Sequence, residues 1–174
     1  KEQLIEGLGE IIKAGFIKDP SIINLLGTET LMTLVDSKNL KEIIKKSIRV
    51  KEFYVKNDPI DKGIRQILNV GHTIGHATEL KNKISHGRAV LIGMDKEFAL
   101  CEKLGFTNIS VRILFNKILN KLEITLDTKV SIDKNAILKD KKIEGNVVVL
   151  PVVTEIGKSK LIKIKDFCLL CSNS

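Results

Sequence analysis

The spacing of apolar side chains changes once along this 174-residue chain, and that change sets the fold class. Through the first two-thirds they recur every three or four residues, the period of a helix with one buried face. Residues 3–14 carry Leu4, Ile5, Leu8, Ile11 and Ile12 at that spacing, until Gly15 and then Asp19-Pro20 interrupt it. Residues 21–34 continue as one or two short helices. Asn39 is placed to cap a long helix through Leu40, Ile43, Ile44, Ile48 and Tyr54, which Asn57-Asp58-Pro59 ends. Helices over residues 64–80, 87–104 and 110–122 follow. The last has Val111, Ile113, Leu114, Ile118 and Leu119 as its expected buried set. Near the C-terminus the character switches. Residues 146–153 form a β-branched run, residues 160–165 alternate Lys with apolar side chains, and Gly157-Lys158-Ser159 lies between, which reads as a β-hairpin. The expected fold is mainly α: a single helical domain over residues 1–174 with a small β-hairpin near its C-terminus.

Composition narrows the function classes. Hydrophobic residues make up 43% of the chain, enough for a packed core. There is no apolar run of about 18 residues, so no membrane partner is expected. The first residues lack the apolar stretch of a signal peptide. Net charge is +8, from 29 Lys and Arg against 21 Asp and Glu, but the excess is mostly dispersed Lys. With 6 Phe, 1 Tyr and no Trp, bases would find few rings to stack on, and no nucleic-acid partner is expected. Three cysteines, Cys101, Cys168 and Cys171, suit a reducing compartment. Cys168-Leu-Leu-Cys171 has no second pair to complete a metal site and reads as ordinary thiols.

All three histidines, His72, His76 and His86, lie close together in sequence. On a continuous helix His72 and His76 sit one turn apart on one face, with Asn69 beside them and Arg65 a turn further back. Gly71 and Gly75 weaken that helix, and their expected benefit is close approach of another backbone or a ligand. Spacing alone leaves the pair equally readable as a metal site or as histidines satisfied by hydrogen bonds. The sequence lacks the Glu of the HExxH pattern. A zinc site with an open position needs a third ligand. His86 is available, and a carboxylate is the usual complement of two imidazoles.

Gly63-Ile64-Arg65, Leu68-Asn69-Val70-Gly71-His72-Thr73-Ile74-Gly75-His76-Ala77, Glu79, His86-Gly87 and Ile92-Gly93-Met94 together closely resemble the 3-dehydroquinate synthase family. Outlying segments agree in order. Gly7-Leu8-Gly9-Glu10 through Gly15 looks like the family's glutamate-bearing helix. Ser47, Lys51, Asp58 and Gly63 resemble the stretch before the histidines. Asp140-Lys141-Lys142, residues 147–150 and Ile156-Gly157 look like its C-terminal segment. The resemblance runs over about residues 2–160. It implies the multi-helix C-terminal domain of the dehydroquinate synthase-like fold, with Glu10, His72 and His86 as metal ligands. By the same resemblance Lys13 and Lys51 contact substrate hydroxyls and the carboxylate end, and Arg65 holds the carboxylate. Asn69, His76 and Lys141 contact phosphate, with Lys142 as the alternative to Lys141. Arg88 departs from a position that is often acidic in the family.

The activity implied is conversion of 3-deoxy-arabino-heptulosonate 7-phosphate to 3-dehydroquinate and phosphate, in the shikimate pathway. NAD takes up and returns a hydride around phosphate elimination, and an aldol closure completes the ring. The implied cofactors are zinc (or cobalt) and NAD. The implied partners are a small phosphorylated sugar-acid substrate and a second copy, as a homodimer, in the cytoplasm. No glycine-rich nucleotide fingerprint precedes Glu10 and there is no initiator Met. The chain is therefore expected to be the metal- and substrate-binding half of a longer enzyme, inactive alone. Another sugar-phosphate cyclase and a non-catalytic helical module are the competing readings.

Overall fold

A computed structural model describes residues 2–127 and 147–165. Among the described residues, seven α-helices, one 3₁₀ segment and a hairpin follow in order: α1 (Glu2–Ile17), α2 (Pro20–Leu26), α3 (Leu31–Asp36), α4 (Lys38–Asn57), the 3₁₀ segment Ile64–Asn69, α5 (His72–Asn82), α6 (His86–Lys103), α7 (Ile109–Lys121), β1 (Val147–Glu155) and β2 (Lys158–Lys165). The mainly α fold with a late hairpin agrees with the sequence reading.

Local chemistry explains the boundaries. Helix α1 runs on through Gly15, where a side chain would meet the Ile23 Cδ1 atom at 2.5 Å and block the contact with α2. Asp19 caps α2 by accepting the Ser21 N–H, with Pro20 in the first turn, where no donor is missed. Thr30 and Thr33 form a capping box that opens α3. The cap of α4 is Ser37 rather than Asn39. Nearly buried Glu29 accounts for the difference: it accepts from the Ser37 hydroxyl and the Asn39 amide, both at 2.7 Å, and so holds the α3–α4 turn together.

The helix expected over residues 64–80 is interrupted. Gly71 has φ of +80°, a left-handed conformation that ends the 3₁₀ segment and restarts the chain as α5. The N–H groups of Gly71 and Ile74 donate to the carboxylate of Glu97 on α6, at 2.7 and 3.3 Å. That buried carboxylate satisfies the first turn of α5, which has no side-chain cap of its own. Arg65 and Asn69 therefore sit on a different element from His72 and His76.

Helix α6 is the centre of the domain, with α1 and α5 laid against it at backbone distance. A Cβ on Gly93 would lie 1.8 Å from the Gly71 carbonyl oxygen, and one on Gly75 2.9 Å from that of Ala89. A Cβ on Gly87 would lie 2.2 Å from the Glu6 carbonyl oxygen. Behind these crossings Phe16, Phe98 and Phe115 meet with ring centroids 5.4–5.8 Å apart and join α1, α6 and α7. In α7 the buried set is Val111, Phe115, Ile118 and Leu119, and Ile113 is exposed. Phe115 on the true inward face takes the place expected for Ile113. The antiparallel hairpin is tied on by Gly157 N–H to the Phe16 carbonyl (2.8 Å) and the Ser159 hydroxyl to the Ile17 carbonyl (2.9 Å). At its other edge the Thr107 hydroxyl donates to the Val153 carbonyl. Cys101 is buried in a second cluster with Ile74, Leu150 and Ile164, while Cys168 and Cys171 lie outside the described residues.

These crossings predict opposite outcomes for two glycines. Gly93→Ala forces α5 away from α6 and is expected to destabilise the chain by about 1–3 kcal/mol or more. Gly7→Ala, where an added Cβ meets nothing within 4 Å, is expected to stabilise by up to about 1 kcal/mol through helix propensity. Urea unfolding of both variants checks the pair; equal shifts would contradict the packing.

Candidate metal and substrate site

Three helices each supply one member of a compact donor set. Glu10 comes from α1, His72 from the first residue of α5 and His86 from the first residue of α6. Glu10 Oε1 lies 3.6 Å from His72 Nε2 and 3.9 Å from His86 Nε2. The three ligand atoms all lie within 4.8 Å of one another. Ligands about 2.0–2.1 Å from a tetrahedral ion stand about 3.4 Å apart, so the set fits a divalent ion after small adjustments. One carboxylate and two imidazoles are also the right chemistry for such an ion, with a position left for water or a substrate oxygen. His76 Nδ1 or Nε2 can join a second group with Glu79 and His86 within the same limit. The rings of His72, His76 and His86 form one triangle with centroids 5.0–6.0 Å apart.

The cluster borders a pocket of about 430 Å³. Six of the sequence-selected residues line it: Glu10, Lys13, Lys51, Arg65, Asn69 and His72. His76 and His86 stand beside it in the histidine triangle. Lys141 and Lys142 lie outside the described residues. Lys51 reaches the pocket from α4 and is exposed. Arg65 and Asn69 reach it from the 3₁₀ segment, so the grouping predicted on one helix face is achieved by two elements.

Asp58 builds the wall that carries Arg65. Its carboxylate accepts the backbone N–H groups of Lys62, Gly63 and Arg65, at 3.2, 2.7 and 3.1 Å. Burial would raise its pKa, but those three donors hold it below the ordinary carboxylate value. The Arg65 guanidinium also donates to the Pro59 carbonyl at 3.1 Å. The sequence reading gave Asp58 as a helix end and as part of the family-like stretch before the histidines, with no role in holding Arg65. It did not single out Asp61, and it named Ser47 only within that stretch; both also line the pocket. Nor did it find Glu97, although a carboxylate four residues from Gly93 on a buried face was a usable signal.

Charge in the pocket is tightly coupled. Lys13 is 3% exposed, and its ammonium donates to Glu10 Oε1 at 2.8 Å. Burial lowers the Lys13 pKa, and the Glu10 carboxylate opposes that shift. Burial pushes Glu10 upward, but Lys13, His72 and His86 together bring it below its ordinary value. His72 is lowered to about 4, first by burial and then by the Lys13 charge, with Glu10 opposing. Its imidazole is thus neutral near pH 7, the form in which it can ligate a metal. Arg88 faces elsewhere. Its guanidinium grips the Glu2 carboxylate through Nε and one terminal nitrogen, at 2.8 and 2.9 Å, and donates to the Thr125 carbonyl at 3.1 Å. The departure at this position is a clamp on α1.

Comparison with known proteins defines the class. Residues 7–143 match the family described as 3-dehydroquinate synthase C-terminal. The 3-dehydroquinate synthase of Lactococcus lactis subsp. cremoris is 34% identical over 168 residues, covering 92% of this chain and 47% of that protein. The enzyme of the same name from Streptococcus pneumoniae is 37% identical over 180 residues, covering 96% and 50%. Among solved structures, 2-epi-5-epi-valiolone synthase from Streptomyces hygroscopicus subsp. jinggangensis, with NAD⁺ and Zn²⁺ bound, superposes with a TM-score of 0.79 at 16% identity, covering 98% of this chain and 52% of that one. A 2-deoxy-scyllo-inosose synthase complexed with carbaglucose-6-phosphate, NAD⁺ and Co²⁺ gives 0.74 at 21%, covering 97% and 51%. The fold is that of the sugar-phosphate cyclases. The chain belongs to the 3-dehydroquinate synthase family and spans about half the length of the curated relatives it matches. Among the described residues no helix is long and apolar enough to cross a membrane.

The lowered His72 value has a measurable consequence. Between about pH 4 and the ordinary value of 6.5 the unfolded metal-free chain binds a proton at His72 that the native state does not. Stability is therefore expected to fall as pH drops through that window. Imidazole C–H resonances followed by NMR should place His72 near 4, and His72→Gln should flatten the acid side of the stability profile. A His72 midpoint at or above 6.5 contradicts the burial and charge assigned to it.

Proposed function

We propose that the chain is the metal- and substrate-binding half of a 3-dehydroquinate synthase acting on 3-deoxy-arabino-heptulosonate 7-phosphate. The observation that carries this reading is the adjacency of a Glu10–His72–His86 donor set to a pocket lined by Lys13, Lys51, Arg65 and Asn69. A divalent ion held there, zinc or cobalt, would act as a Lewis acid that lowers the pKa of a substrate hydroxyl.

The chain's own residues position and neutralise. Arg65 presents a planar fork suited to a carboxylate, and the Asp58 loop fixes its backbone. Lys13 and Lys51 offer cationic donors to hydroxyls and the acid group. Asn69 and His76 supply phosphate contacts, joined by Lys141. Holding a doubly anionic substrate in one orientation converts successive intramolecular steps into well-aligned ones. The buried Lys13 charge acts in a setting less screened than bulk water. In this reading NAD is bound mainly by the N-terminal half found in the longer relatives, the complete protein is a cytoplasmic homodimer, and the isolated chain does not turn over.

The deoxyinosose and valiolone synthases on the same fold favour a second reading, a cyclase for a sugar phosphate without a carboxylate. Calorimetric titration of the zinc-loaded chain separates the two. With the phosphorylated sugar acid, Arg65→Ala should weaken binding by about 10- to 100-fold, the loss of a hydrogen bond to a charged group. With the corresponding sugar phosphate lacking the carboxylate, the same variant should change little. Equal affinity for both ligands in the unaltered chain, with no Arg65 effect, overturns the 3-dehydroquinate synthase reading in favour of the other cyclases.

A further inference from the structure

His86 is the less enclosed of the two imidazole donors. Its side chain is 40% exposed, against 14% for His72. It opens α6 at a junction whose preceding Ser85 makes no side-chain cap. Its ring meets those of His72 and His76, with centroids 5.3 and 6.0 Å away, but neither meeting chooses between its two nitrogens. One contact does: Nδ1 lies 3.1 Å from Glu79 Oε2, while Nε2 faces Glu10 on the other side of the ring. Glu79 is seven residues after His72 on α5, two turns along the same face.

We propose that Glu79 is a positioning residue for the metal site: its carboxylate accepts the Nδ1–H of His86 and keeps Nε2 unprotonated and aimed at the ion. The proposal rests on the Glu10–His72–His86 site proposed above. An imidazole ligates through the nitrogen that carries no proton, and the partner of the other nitrogen decides which one that is. An anionic acceptor also makes the ligating nitrogen a better donor. His72 has a weaker version of the arrangement, its Nδ1 lying 3.3 Å from the Val70 carbonyl oxygen. The exposed ligand is thus matched with the charged acceptor and the enclosed one with a backbone carbonyl.

The nearby grouping of His76, Glu79 and His86 gives Glu79 a rival role as a ligand. That role needs the Nδ1 face of His86, the face already turned to Glu79. Two ions at once would require one fully deprotonated, bridging imidazole. A single ion on the Nε2 face leaves the Glu79 hydrogen bond intact.

The test is cobalt(II) binding to the 174-residue chain, read by competition with a chromophoric chelator and by visible absorption. Unaltered chain, Glu79→Ala, Glu79→Gln and His72→Ala are compared. The expected result is one equivalent bound by the unaltered chain and an affinity about 10- to 100-fold weaker in Glu79→Ala. Glu79→Gln, which keeps an acceptor oxygen, should recover part of that loss. Melting temperatures of the metal-free proteins should coincide, which separates positioning from folding; should Glu79→Ala melt early, Glu79→Gln decides. Wild-type affinity in both Glu79 variants, with binding lost in His72→Ala, overturns the positioning role and leaves the metal site standing. Two equivalents in the unaltered chain, one lost in Glu79→Ala, makes Glu79 a ligand and also overturns it. No cobalt binding by the unaltered chain removes the site and the proposal together.

Discussion

Close backbone contact along α6 is the constraint on which the rest of this structure depends. Helices with ordinary side chains at their contact pack with axes about 8–10 Å apart. Here glycines remove the spacers. Each member of the donor set is the sequence neighbour of one of them: Glu10 follows Gly9, His72 follows Gly71 and His86 precedes Gly87. The crossings that bring α1 and α5 onto α6 therefore also bring three short-reach ligand atoms from distant parts of the chain within 4.8 Å. A larger residue at a crossing moves a ligand as it moves a helix, so packing and site are one constraint.

The same closeness creates an electrostatic problem that the fold answers locally. A helix beginning at a left-handed glycine exposes N–H groups inside the protein, and Glu97 answers them from α6. A lysine 3% exposed needs a counter-charge, and Glu10 supplies it at 2.8 Å. Lys13 in turn helps to keep His72 neutral. The +8 of the whole chain says nothing about this. What matters is one buried cation placed against a carboxylate that also faces two imidazoles.

Much of this was legible in the sequence, for a physical reason. Apolar periodicity reports which face is buried, so α1, α6, α7 and the hairpin followed from spacing. Its limits are equally physical. Ile113 and Phe115 are two residues apart, and only the neighbouring helices decide which of them faces inward. The break at Gly71 was hidden because His72, His76, Asn69 and Arg65 fit a continuous helix as well as they fit two elements. Capping was misread at Asn39 because Ser37 and Asn39 are both capable, and the choice lies with Glu29, ten residues away. The proposed metal ligands came from a family resemblance, because the separation of Glu10 from His72 carries no periodic signal. The resemblance includes Asp58 and Glu79 without giving either a role, and it passes over Glu97, because an Asp or Glu in isolation reads as a solvated charge.

Two kinds of support hold the two parts of the site. The donor set stands on α1, α5 and α6, where backbones touch and side chains have little room. The pocket wall stands on α4 and on the Asp58-anchored loop and 3₁₀ segment, where Lys51 and Asp61 are exposed and the restraint is three backbone hydrogen bonds to one carboxylate. Metal-ligand chemistry tolerates little displacement, since ligand distances hold to a few tenths of an ångström. Recognition of different sugar phosphates needs variation in reach and charge, which a loop accommodates better than a helix crossing. The clamp of Arg88 on Glu2 belongs to the first part. It links the start of α1 to α6, so the residue that departs from the family at that position contacts the frame of the donor set.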